Sequence, residues 1–186
     1  MARKLKGVPK NPAVLASDRL VAAINGQIGN EIHASLQYTS IAAHFDAENL
    51  PQLAAFFARQ ATEEREHALK FVGFVVDVGG RVAIPAISAP RHDFATAADA
   101  VRLSLAWERT VTEQIYGLVE IAKSENNYIA LRFLDWFVTE QLEEITVMDQ
   151  LLSLVERAGD NLLFVDDYLS RNPLVAEGEG GEGGGE

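Results

Sequence analysis

Apolar residues recur at alternating steps of three and four along most of this chain, while strict apolar/polar alternation is scarce, so the pattern predicts an all-helical fold. Ser17 or Asp18 can cap a first helix running to about Asp46, with a carboxylate at its positive end. The break is Glu48-Asn49-Leu50-Pro51. Pro51, tolerated in a first turn, opens a second helix that stops at Gly79 and Gly80. So short a link makes the two helices antiparallel. Positions 81–94 (RVAIPAISAPRHDF) carry Pro85 and Pro90, have little helical character, and are long enough to travel the length of a bundle. Thr96 caps a third helix ending near Lys123, and after Ser124-Glu125-Asn126-Asn127 a fourth runs from about Tyr128 to Ala158, closed by Gly159. The segment NLLFVDDYLS predicts a short fifth helix before Pro173. This organisation gives one domain over positions 17–172, a flexible basic arm at 1–16, and at 173–186 a Gly/Glu-rich acidic tail too poor in apolar residues to order itself.

Each long helix carries polar residues on the stripe that should face the core. The first stripe is Ile24, Gln27, Glu31, Ala34, Tyr38, Ile41 and Phe45; the second is Leu53, Phe57, Gln60, Glu64, His67, Phe71, Phe74 and Val78. On the third, Glu108 and Thr112 interrupt Val101, Leu105, Ile115 and Val119; on the fourth, Gln141 and Glu144 interrupt Leu134, Phe137, Met148 and Leu151. From Glu31 to Glu64 and His67 the spacing is 33 and 36, and the same 33 and 36 separate Glu108 from Gln141 and Glu144. The repeated offset predicts two related helical hairpins facing each other about an approximate two-fold axis, joined by the long 81–94 connection.

Four glutamates and a histidine converging at mid-bundle would each cost several kcal/mol to bury without a neutralising partner, and no Lys or Arg lies on the stripes. A pair of divalent cations can neutralise them. Carboxylates with an i, i+3 imidazole, contributed by facing helices, are the pattern of di-iron or di-manganese bundles, and hard oxygen ligands with one nitrogen suit iron or manganese. Tyr38 and Trp136 lie near this depth and read as core aromatics with satisfied polar tips, able otherwise to hydrogen-bond a ligand or supply an electron. His33, His44 and His92 fall off the stripes and read as surface or loop histidines.

Composition narrows the function classes. The 186 residues carry a net charge of −11 and no cysteine, which removes disulfides, thiolate metal sites and cysteine nucleophiles. Such an acidic chain is not expected to bind nucleic acid, since its one basic cluster is Arg3, Lys4, Lys6 and Lys10. It has neither a membrane-length apolar run nor an apolar leader, so the expectation is a cytoplasmic protein without a membrane partner.

At NEIHASLQY, EEREH, AWERTVTEQ and DWFVTEQLEE the chain resembles the ferritins, specifically the non-haem bacterial type, over about positions 17–172. The resemblance implies a ferritin-like four-helix bundle with a long crossover and a short C-terminal helix. It implies that Glu31, Glu64, His67 and Glu108 are ferroxidase-centre ligands, Glu64 bridging two irons and His67 binding the first, with Gln141 and Glu144 on the second-iron side. It matches Glu63, Glu140, Glu143 and the shared Glu144 to a third iron site. The implied activity is iron storage and detoxification by a ferroxidase, an oxidoreductase oxidising Fe(II) to Fe(III) with dioxygen or hydrogen peroxide. Implied too is a homo-oligomeric shell of roughly 24 chains, its pore lined by the fifth helix and its interior filled with ferric oxide. Bacterioferritins share the fold, but bind haem through a Met between the Glu and His of the second helix and carry a second Glu-x-x-His on the fourth. Here those places hold Arg65 and Gln141-Leu142-Glu143-Glu144, so no haem is expected. The rival expectation is a di-iron or di-manganese peroxide scavenger or oxygenase without mineral storage.

Overall fold

A computed structural model describes residues 14–174; the basic cluster and the Gly/Glu tract lie outside the described residues. Within them the chain forms α1 (Asp18–Ala47), α2 (Pro51–Asp77), α3 (Ala97–Ser124), α4 (Tyr128–Ala158) and α5 (Leu162–Arg171), and no strand. The helix ends follow the local chemistry. Ser17 Oγ accepts from Leu20 N at 3.0 Å, and donates to the Glu125 carboxylate, tying the start of α1 to the α3–α4 turn. Thr96 and Asn127 cap α3 and α4 in the same way, through Asp99 N and Ala130 N. Leu50 offers α2 no side-chain cap. Asp166, from α5, supplies one, accepting from Gln52 N and Leu53 N at 2.7 and 3.1 Å.

The 81–94 crossover runs along one face of α1. Asn25 clamps its start, donating to Arg81 O at 2.9 Å and accepting from Ala83 N at 3.0 Å. Gln37 clamps its end through both main-chain groups of Arg91, at 2.8 and 2.9 Å. Between them Pro85 lies on Gly29, where a Cβ would overlap its ring, and Ser88 meets His33 Nδ1 at 3.2 Å. Ahead of α1, Leu15 N donates to Val78 O and Leu15 O accepts from Asn127, so the chain is already bound to the bundle before its first helix.

The apolar core is divided. One cluster gathers Tyr38, Phe45, Phe57, Leu105, Met148 and Leu151 with Val165 and Leu169 of α5; the other gathers Leu20, Ile24, Phe71, Ile115, Leu134 and Phe137. Between them, at mid-height, lies a buried polar layer of Gln27, Glu31, Gln60, Glu64, His67, Glu108, Thr112, Gln141 and Glu144. The stripes are therefore the core faces, with two adjustments. Val119 is only half-buried while Leu118 is buried. Trp136, expected in the core, is 40% exposed because Leu134 and Phe137 occupy the inward positions on either side of it.

Candidate metal centre

Four helices each bring one glutamate to the polar layer, and all four are nearly sealed: Glu31, Glu64, Glu108 and Glu144 are 0–3% exposed, as is His67. Oxygens of Glu31 and Glu64 and a ring nitrogen of His67 lie within 4.8 Å of one another, and His67 with Glu140 and Glu144 forms a second such group. His67 stands between them, Nδ1 3.6 Å from Glu64 and Nε2 3.8 Å from Glu140. Phe137 and Trp136 pack edge-on against the imidazole, and the Lys70 ammonium lies 3.9 Å over the Trp136 ring. Glu108 joins from α3: the Tyr38 hydroxyl donates to its Oε1, and Gln141 Nε2 approaches its main-chain oxygen, its Oε2 and Thr112 Oγ1 at 3.2–3.4 Å. Glu63 and Glu143 are half-buried beside this group, with Gln60 donating to Glu63.

The electrostatics are those of crowded anions. Burial, then the fields of Glu108 and Glu31, hold the Glu64 carboxyl far above the ordinary carboxylate range. Glu144 is raised by burial and by Glu108 and Glu64. Burial lifts Glu108 to about 7 against the opposing hydrogen bond from Tyr38, and lifts the Tyr38 phenol as well. Burial alone would lower His67, but the Glu140 contact and the neighbouring carboxylates outweigh it and its imidazole titrates higher than usual.

These residues fit a cation-binding role. One oxygen each of Glu31, Glu64 and Glu143 is shielded from solvent and receives no hydrogen bond. No Lys or Arg among the described residues pairs with the four sealed glutamates. Carboxyl oxygens left facing each other in a sealed layer, with an imidazole among them, suit hard divalent cations once they give up their protons. His33, His44 and His92 stay outside: His33 packs at a tilt against Trp107, His44 edge-on against Phe94, and His92 is exposed beside Asp93. The stripes contained Gln27 and Thr112 without giving them a task. Asn30 and Trp107 lie within the quoted motifs but were given no role, although Trp107 buries an unpartnered Nε1 next to Glu108.

Comparison with known proteins gives a consistent answer. A family model described as the ferritin-like domain matches residues 21–158. The chain is 43% identical over 155 residues to the ferritin BfrB of Mycolicibacterium smegmatis, covering 83% of this chain and 86% of that one. It is 35% identical over 147 residues to a bacterial non-heme ferritin of Staphylococcus aureus, covering 79% and 89%. Among solved structures, an open pore ferritin of the archaeon Archaeoglobus fulgidus superposes with a TM-score of 0.81 at 33% identity, covering 84% and 98%.

Proposed function

Because the chain belongs to the ferritin family, we propose that it stores and detoxifies iron, taking up Fe(II) at the mid-bundle layer, oxidising it with dioxygen or hydrogen peroxide, and depositing ferric oxide within a shell of its own copies. The observation that carries this reading is the sealed layer of four glutamates and one histidine, in which one oxygen each of Glu31 and Glu64 receives no hydrogen bond. Glu31, Glu64 and His67 would hold one iron, Glu64 would face both, and Glu108 and Glu144 with Gln141 would hold the second. Each Fe(II) gives up one electron to the oxidant. The anionic layer favours the product's higher charge, while the metal-bound acids must shed their protons first. Tyr38, hydrogen-bonded to Glu108, would hold that ligand and, one hydrogen bond from it, would be the side chain to donate a further electron. Half-buried Glu63, Glu140 and Glu143, with the sealed Glu144, would hold a third iron.

Self-assembly into roughly 24 chains accords with the apolar side chains left on the outside, among them Tyr128, Leu142, Leu163 and Phe164. No described helix is long and apolar enough to cross a membrane.

Fe(II) added in air should produce ferric absorbance with the parent protein, and Glu64→Ala with His67→Ala should slow the early phase at least about 10-fold. An unchanged rate would remove the centre from this layer. A native mass of a monomer or dimer would leave the oxidation and remove the storage.

A further inference from the structure

Apart from the neighbouring Glu64 carboxyl, Glu31 is held from one side only. Gln27, one turn earlier and 2% exposed, donates from Nε2 to Glu31 Oε1 at 2.9 Å, whereas Glu31 Oε2 receives no donor. Behind Gln27 the amides continue. Asn30 Nδ2 donates to Gln27 Oε1 at 3.2 Å and to Gln114 Oε1 of α3 at 2.9 Å. The result is a ladder of three side-chain amides from the half-buried seam of α1 and α3 to a sealed carboxylate.

The ladder has one polarity, set from its inner end. A carboxylate only accepts, so Gln27 must turn its N–H toward Glu31 and its carbonyl outward; Asn30 must then donate, and Gln114 must accept. Stability alone does not require this arrangement, because Asn30 and Gln114 are half-buried and water can satisfy them. What the ladder does fix is which Glu31 oxygen stays available.

We infer that Gln27 is a positioning residue for the metal centre: by occupying Oε1 it makes Glu31 meet a divalent cation through Oε2 alone, and Asn30 with Gln114 hold Gln27 in the donor orientation. A one-oxygen ligand leaves the cation one position more open than a chelating carboxylate would, and open positions are what an oxidant needs. This inference rests on the proposed iron-binding reading and concerns how one ligand is presented.

Co(II) alone, titrated into the full-length protein, is the probe, since its visible d–d band weakens as coordination number rises. Gln27→Leu frees Oε1 to chelate, so the band per bound Co(II) should weaken; losing the donor that orients Glu31 should separately cost the tightest site about 10-fold in affinity. Asn30→Leu leaves Gln27 in place but unlocked and should shift the band in the same direction by less. Thermal midpoints followed by helical circular dichroism read folding separately, and a merely structural role would move those while sparing the band. A folded Gln27→Leu with the parent's band and affinity overturns the inference. Where that variant fails to fold, an unchanged band in Asn30→Leu overturns it instead. A parent protein that binds no Co(II) overturns the iron-binding reading itself, and this inference with it.

Discussion

Glu108 is wholly buried, and an ionised form has the Tyr38 hydroxyl, the Gln141 amide and the field of His67 to set against burial and the field of Glu31. Its folded-state value of about 7 lies above the ordinary 4.5, so the metal-free fold binds this proton more tightly than the unfolded chain does. Its contribution is therefore fully present below pH 4.5 and lost as pH rises through about 7. Glu108→Gln keeps the shape and removes the charge. At about pH 8, without metal, it should stabilise the protein by up to about 3 kcal/mol, and at about pH 4 it should change little. Urea midpoints at the two pH values check this; equal effects at both would show that repulsion among the carboxylates is not what strains the site. Glu31, Glu64, His67, Glu108 and Glu144 were legible in the sequence because a titratable group on an apolar stripe is an anomaly. Gln27 and Asn30 were not, because the significance of a neutral amide lies in which neighbour it donates to, and that is a property of the folded layer. Trp136 misled because it directly precedes the buried Phe137 in the chain.

At the scale of elements, α1 serves two masters. Its core stripe was plain from periodicity, but the series Asn25, Gly29, His33 and Gln37, each four apart, is a second face that receives the crossover. The amphipathic pattern hid it, since polar residues and a glycine on an outward face look like ordinary solvent exposure. Gly29→Ala tests it: the new methyl overlaps the Pro85 ring, so the crossover must move and stability should fall by about 1–3 kcal/mol. A thermal midpoint within error of the parent's would show the crossover to be loosely held. α5 was also visible as an amphipathic segment, but its role at the start of α2 was not. The contact between Asp166 and the amides of Gln52 and Leu53 spans more than a hundred residues. Asp166→Ala removes the only side-chain cap that α2 has among the described residues, at a cost of about 1–2 kcal/mol. Hydrogen exchange should speed up at Gln52 and Leu53 and along α5 together; faster exchange confined to α5 would mean that the two helices are not coupled through this carboxylate.

For the whole molecule, the division of the core into two apolar clusters sets protons against cations. Without metal, Glu64, Glu144 and Glu108 all have raised values, as does His67 relative to its ordinary 6.5, so the layer is best tolerated when protonated and grows repulsive as pH rises. The thermal midpoint of the metal-free protein should therefore fall between about pH 5 and pH 8. A divalent cation reverses the sign, because it binds the deprotonated ligands and replaces their protons as the neutralising charge. With Mn(II) or Zn(II) at about 100 times its dissociation constant, the added stability is about 2.7 kcal/mol, worth roughly 5–10 °C in a chain of this size, and the gain should be larger at pH 8 than at pH 5. The same exchange predicts acidification when either ion is added to weakly buffered protein near pH 7. Metal binding without proton release would mean that the layer is already ionised, and the pH slope of the metal-free protein would then have to come from elsewhere. With both observed, the two apolar halves are joined by a layer that is stable with protons or with metal and strained with neither.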